Sequence, residues 1–282
     1  MGSFTINTAS ASDRRLMVEW AADEGWNPGD TDMLAFAAMD AAGFLVGRVG
    51  GEPQTCISVV RFGSAYGFLG FYIARPAVRG QGYGIQTWNA GMAHLGNRNI
   101  GLDGVVAQQA NYRKSGFHSA WTNLRFQGTP PSVATPPPGV RIISADALPF
   151  AALAAHDRRF HPAARDALLS LWHTLPGRLG LVAVQDGAIV GHGAIRKSRG
   201  AARIGPLHAD SPAIATALIA GLAAGLQAPA IAIDVPGRNA TAMALMPSLG
   251  LAPAFETARM YTGPEPALDL PALYGLASLE LG

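Results

Sequence analysis

The chain has 282 residues, 49% of them hydrophobic and 14% charged, with 34 Gly and 20 Pro. That apolar share excludes wholesale disorder, and the length predicts about two domains. Lys and Arg total 21 against 19 Asp and Glu, with no block of like charge, so a sequence-independent nucleic-acid surface is excluded. The one cysteine, Cys56, excludes an internal disulfide or a Cys-based zinc cluster and points to a reducing cytoplasm.

In chain order, a polar start (residues 1–15) without a signal-peptide pattern holds a short strand at 4–8. Helices are predicted at 13–24 and 32–39, then strands at 44–49 and 55–61 around the hairpin Gly50-Gly51-Glu52. A strand at 68–73, a helix at 84–95, a strand at 101–107, a short helix and a closing strand complete the first half. Five prolines within 128–139 form a semi-rigid spacer, since proline supplies no ladder or helix hydrogen bond. The predicted boundaries are a domain at 1–128, a Pro-rich linker at 129–139 and a second domain at 140–282.

The second half repeats the pattern: a strand at 141–144, helices at 147–156 and 162–172, and strands at 181–184 and 188–195 around Asp186-Gly187. A strand at 204–207, a helix at 212–226 and a strand at 230–235 follow. Residues 212–233 carry no charge and are long enough to suggest a membrane span. Their alanine content, the dividing Pro229 and the β-branched alternation after it favour a buried helix and a core strand instead. Ile73 and Leu207, Gly116 and Gly250, and Arg125 and Arg259 each lie 134 positions apart, which predicts an internal duplication. Both halves alternate strands and helices, so the expected class is α/β (α+β), a mixed sheet flanked by helices in each half.

The sharpest local feature is Arg79-Gly80-Gln81-Gly82-Tyr83-Gly84, between a strand and an apolar helix. Glycine there lets the backbone approach a ligand, and the unpaired amides of a helix start make a pyrophosphate seat. The spacing fits neither the dinucleotide fingerprint nor a P-loop. Together with Ile73-Ala74-Arg75-Pro76 before it and Tyr112-Arg113-Lys114-Ser115-Gly116-Phe117 after it, this stretch resembles the acetyl-CoA loop and downstream tyrosine motif of the GNAT superfamily of N-acetyltransferases. The register adopted places Arg79 first, with Gly82 and Gly84 as the two glycines.

The resemblance implies two tandem GNAT-like domains, each with a mostly antiparallel sheet. The first is catalytic; the second is degenerate, because an offset of 134 carries the loop onto 213–218 without a glycine and Tyr112 onto Met246. It further implies acetyl-CoA as cosubstrate, held by Tyr72, Ile73, Arg79, Gly80, Gln81, Gly82, Tyr83, Gly84, Asn111 and Tyr112. Direct attack by an amine needs that amine neutral, an oxyanion donor near the Tyr72 and Ile73 amides, and a proton or hydrogen bond for the leaving thiolate. The resemblance gives the last role to Tyr112; a tyrosine packed in the core is the competing reading.

Two features depart from the superfamily pattern. The strand over 66–73 carries no carboxylate, and the usual asparagine before the tyrosine is Val105, with Gln108, Gln109 and Asn111 nearby. Glu24 is therefore the candidate base, and Trp26 and Asp32 the candidate acceptor-binding residues, in a loop that in this superfamily covers the acceptor. A capped helix end with Trp26 packed against it is the alternative. His156, His161, His192 and His208 are further titratable candidates, no pair has metal-ligand spacing, and no metal is expected. Cys56 reads as a small core residue. Trp121 either reaches the acceptor or packs in the closing strands. The expected partner is a small-molecule primary amine, with neither nucleic acid nor membrane. A protein lysine or N-terminal acetyltransferase and a non-catalytic acyl-CoA sensor remain open.

Overall fold

In the computed structural model, which describes residues 3–282, strand β1 (Phe4–Thr8) leads into α1 (Ala11–Asp23). A capping box fixes that start: Asp13 N donates to Ser10 Oγ, and Ser10 N donates to the Asp13 carboxylate at 2.9 Å. Then come α2 (Asp32–Met39), β2 (Phe44–Val49), β3 (Glu52–Phe62), β4 (Tyr66–Ala74), α3 (Tyr83–Leu95), β5 (Asn99–Val105), α4 (Gln109–Lys114) and β6 (His118–Gly128). Residues 129–139 are without helix or strand. The second half holds β7 (Arg141–Ser144), α5 (Phe150–Asp157), α6 (Asp166–Trp172), β8 (Arg178–Gln185), β9 (Ala188–Arg196), β10 (Ala202–Ala209), α7 (Pro212–Leu226), β11 (Ile231–Pro236), α8 (Ala240–Ser248), β12 (Ala252–Tyr261) and β13 (Leu273–Gly275).

The helix predicted over 147–156 divides instead into a 3-10 turn (Ala145–Ala147) and α5, because Pro149 interrupts the backbone ladder. The one predicted over 162–172 begins only at Asp166. Strand β13 was not predicted. Residues 212–233 are the buried helix α7 and core strand β11, and no helix of the described residues is long and apolar enough to cross a membrane.

All strands join one 13-stranded, mostly antiparallel sheet, ordered β1-β2-β3-β4-β5-β12-β6-β11-β10-β9-β8-β7, with β13 on β10. The closing strands are exchanged. β12 of the second half pairs with β5 of the first, while β6 of the first pairs with β11 of the second. A buried ion pair locks each exchange: Arg259 on β12 grips Asp103 on β5 at 2.7 and 2.8 Å, and Arg125 on β6 grips Asp234 on β11 at 2.7 Å. Both arginines belong to the pair 134 apart. Asp32, at the start of α2, adds a third link through Arg178 and Arg196, each at 2.8 Å.

The duplication extends to irregularities. Opposite β3, two residues of β4, Phe71 and Tyr72, fill the place of one, and Phe71 takes φ +46°. Opposite β9, Gly205 and Pro206 of β10 do the same, again 134 positions on. In each half one pair of neighbouring strands is parallel and separates beyond that bulge. β4 pairs with β5 only over 66–69, and β10 with β11 only over 202–204. This separation opens a slot in the sheet.

Candidate active site

In the first half the slot between β4 and β5 is open. It continues outward into a cleft of about 630 Å³ lined by Tyr72, Ile73, Ala74, Arg79, Gly80, Gly82, Gly84, Gln108 and Tyr112, among others. The turn before α3 forms its rim. Gly80 and Gly82 hold φ +79° and +83°, and a Cβ on either would point into open space. Gly82 is the left-handed residue from which α3 starts, so the first-turn amides of Tyr83, Gly84 and Ile85 lack intrahelical acceptors. Gly84 is close-packed, since a Cβ there would come within 3.1 Å of the Tyr72 hydroxyl. The side chains of Gln81 and Tyr83 turn away: Gln81 Nε2 donates to Ala77 O at 2.8 Å and Tyr83 packs on Phe4. Tyr83 can serve a ligand through its amide, whereas Gln81 N already donates to Val78 O at 3.3 Å. Arg79 is held by Ala74 O at 2.8 Å and by Glu24 at 2.5 Å.

Inward, at the bulge, lies a cavity of about 40 Å³ lined by Gly70, Phe71, Tyr72, Asp103, Tyr112 and Glu280, among others. Tyr112, on α4, borders both spaces and stacks on Trp88, ring centres 5.5 Å apart. Burial pushes its phenol well above the ordinary value, so it stands as a neutral hydrogen-bond donor. Trp26 and Phe255 wall both spaces. Arg125 and Arg203 donate to the Trp26 carbonyl at 2.8 and 3.2 Å and fix that loop to the second half.

The predicted residues separate into those the structure gathers and those it does not. Tyr72, Ile73, Arg79, Gly80, Gly82, Gly84, Tyr112, Trp26 and Glu24 border the cleft. Glu24 does so at the outer rim, where it pairs with Arg79. Asn111 points elsewhere: its Nδ2 donates to Gln108 Oε1 at 2.9 Å, and it is Gln108 that lines the cleft. Asp32 is a correction. It is fully buried between Arg178 and Arg196, accepts from Gly29 N at 2.9 Å, and has no surface for a substrate. No histidine borders either space; His156, His173, His192 and His208 cluster inside the second half. Trp121 packs on Tyr261 and donates to Asn123 at 2.8 Å. Burial pushes the Cys56 thiol up, and Sγ donates to Phe71 O at 3.2 Å, beneath the bulge.

The second half is closed at every equivalent point. Its turn before α7 is only Asp210 and Ser211, so the glycine segment is deleted there, and the offset of 134 fails locally. Ser211 Oγ already accepts from Ile214 N, and Pro212 begins the helix. Pro206 stands where Tyr72 does and has no amide to offer. Met246 does match Tyr112, for Leu251 N donates to Met246 O at 3.1 Å as Phe117 N does to Tyr112 O. Strand β13 occupies the slot itself, pairing with β10 at Leu207 and His208, and Leu276 N donates to Asp234 O at 2.8 Å on the other side. Beyond it the chain crosses Gly205, runs to Gly70 of the first half, and delivers Glu280 to the inner cavity. Sequence reasoning missed Glu280. Its only signal was a lone carboxylate in the apolar run 273–282.

A family model described as an acetyltransferase (GNAT) domain matches residues 153–275, which lie in the closed half. A holothin acyltransferase from Pseudoalteromonas sp. (strain SANK 73390) is 33% identical over 99% of this chain and 95% of its own. Among solved structures, a putative acetyltransferase from Pyrococcus horikoshii superimposes with a TM-score of 0.81 at 20% identity, over 99% of this chain and 96% of that one. A tandem GNAT protein from the clavulanic acid biosynthesis pathway gives 0.65 at 16% identity, covering 93% of this chain and 100% of that one.

Proposed function

This chain belongs to the GNAT family of acyltransferases, and we propose that its first half transfers acetyl from acetyl-CoA to a primary amine of a small molecule by direct attack. The observation that carries the reading is the asymmetry between two copies of one fold. The slot, the bulge amide, the glycine turn and the tyrosine are all present in the first half and all absent or filled in the second. The glycine turn suits a diphosphate, because its two outward glycines leave main-chain donors uncovered at a helix start. The narrow slot suits a pantetheine arm, which would lie along the unpaired edge of β4.

Bound there, acetyl-CoA supplies an activated acyl carbon and a thiolate leaving group. Arg79 and the amides of Gly80 and of residues 82–85 would hold the diphosphate, and the bulge at Phe71 and Tyr72 would turn a backbone N–H toward the acyl oxygen. Tyr112, borderer of both spaces, would donate a hydrogen bond to the sulfur. Trp26 and Phe255 would exclude water from the reacting centre.

A small acceptor is favoured by enclosure: the inner cavity is walled by both halves. The similar acyltransferase that acts on holothin supports the same class. The test is free-thiol release from acetyl-CoA by purified protein with a panel of small primary amines and, in parallel, lysine peptides. Turnover with peptides alone would refute the acceptor class, and absence of acetyl-CoA binding by calorimetry would refute the donor.

A further inference from the structure

We propose that Glu280, carried across from the second half by the segment after β13, is the general base that takes the proton from the acceptor ammonium. The inference rests on the transfer reading above and names the residue that β4 fails to supply.

Three carboxylates border the two spaces, and their partners distinguish them. Glu24 is bound to Arg79 at 2.5 Å on the outer rim. Asp103 is occupied on both oxygens by Arg259, and Asn123 donates to it as well at 2.7 Å. Glu280 has no arginine within ion-pair distance; its Oε2 accepts from Ser278 Oγ at 2.5 Å and its Oε1 takes no hydrogen bond from the described residues. One free carboxylate oxygen at the inner cavity is what proton abstraction needs.

The segment is built to hold that position. Gly282 N donates to Ser278 O at 3.0 Å, closing a turn around Glu280, and Glu280 N donates to Ser278 Oγ at 3.0 Å. Arg165, itself paired with Asp157, donates to Gly282 O at 3.0 Å. Gly70 makes room: a Cβ there would lie 2.2 Å from Glu280 O. The backbone of Glu280 thus rests on β4 beside the bulge, where a strand carboxylate would otherwise project. Burial raises its carboxyl above the ordinary range, while Arg203 on β10, the Ser278 hydroxyl and Arg125 on β6 draw it down and Asp32 on α2 opposes them. A base shifted toward neutrality transfers protons near working pH.

Glu280 carboxylate takes a proton from the ammonium, leaving a neutral amine whose lone pair forms the C–N bond. The C–S bond breaks, its electron pair leaves with sulfur, and one of the two remaining amine protons goes to that sulfur through Tyr112 or water, the other staying on the amide nitrogen. Glu280 then returns its proton to solvent.

The experiment compares wild type with Glu280→Gln using acetyl-CoA and two probe amines: benzylamine, protonated at pH 7, and aniline, already neutral. The variant should lose roughly 10²–10³-fold in kcat with benzylamine and about tenfold or less with aniline, on the scale of general-base effects. Its acetyl-CoA dissociation constant should stay within about threefold, and with benzylamine the acidic limb of its pH–rate profile should move up to the amine's own titration. Ser278→Ala, which removes a hydrogen bond to the charged form, should move that limb to higher pH. Equal losses with both amines, or an unchanged acidic limb in the Gln variant, would overturn the assignment while leaving the transferase intact. A wild type that binds acetyl-CoA yet releases no thiol with any amine defeats the transfer reading and the base with it.

Discussion

At the scale of single residues, the site divides the work between groups whose environments differ sharply. Tyr112 is buried against Trp88 and remains a neutral donor, which suits the hydrogen bond to sulfur proposed for it. Tyr112→Phe keeps the ring stacking and removes that bond. kcat should fall by roughly 10- to 10³-fold while acetyl-CoA affinity holds, as stopped-time thiol release and calorimetry would show. Glu24 borders the cleft and pairs with Arg79. It is about one-third exposed and steadies Arg79, so Glu24→Gln should change KM for acetyl-CoA by a few-fold and leave kcat and its acidic limb unmoved. Tyr112 was legible from sequence because a fixed motif places it after a strand. Asp32 misled because a carboxylate beside a loop tryptophan reads alike whether it faces a ligand or two arginines far along the chain. Glu280 was invisible for the same reason, since its place depends on a chain path of more than two hundred residues back to β4.

Elements show which features a sequence can announce. The glycine turn does so because its backbone conformation restricts residue type: Gly80 and Gly82 both have positive φ, where a side chain is strained. Gly82→Val should therefore misplace the start of α3 and weaken acetyl-CoA binding by at least about tenfold, an effect of 1–2 kcal/mol. Ser211→Ala at the start of α7 is the matching control. It should cost about 1 kcal/mol of stability through the lost cap and leave acetyl-CoA affinity unchanged. Calorimetry and urea unfolding on both proteins separate the two effects. Strand β13 had no such signature. Three apolar residues without periodicity announce neither a strand nor the slot they fill, and the two-residue turn before α7 was hidden by assuming one offset throughout.

For the whole molecule, the exchange of closing strands makes the first site depend on the second half. β12 supplies Phe255 to the wall and Arg259 to Asp103, while the chain beyond it fills one slot and furnishes the other. A second half whose equivalent turn and slot are closed thus serves as a scaffold for the first. Its interior carries a cost that pH exposes. His156 and His173 are held neutral by burial, each with its pKa lowered to about 4, and burial likewise lowers His192 and His208 beside them. An unfolded chain takes up protons at these positions near pH 6.5, whereas the folded one resists until about 4. Protons therefore favour the unfolded state over that interval. Stability is full above about pH 6.5 and is lost as pH falls toward 4, at most about 3 kcal/mol for a single such histidine. Urea unfolding at intervals from pH 7.5 to 4 should trace that decline. His156→Leu should flatten it by one proton's slope, because the slope counts protons gained on unfolding. A curve equally steep in the variant would show that His156 is protonated within the fold and that the acid sensitivity arises elsewhere.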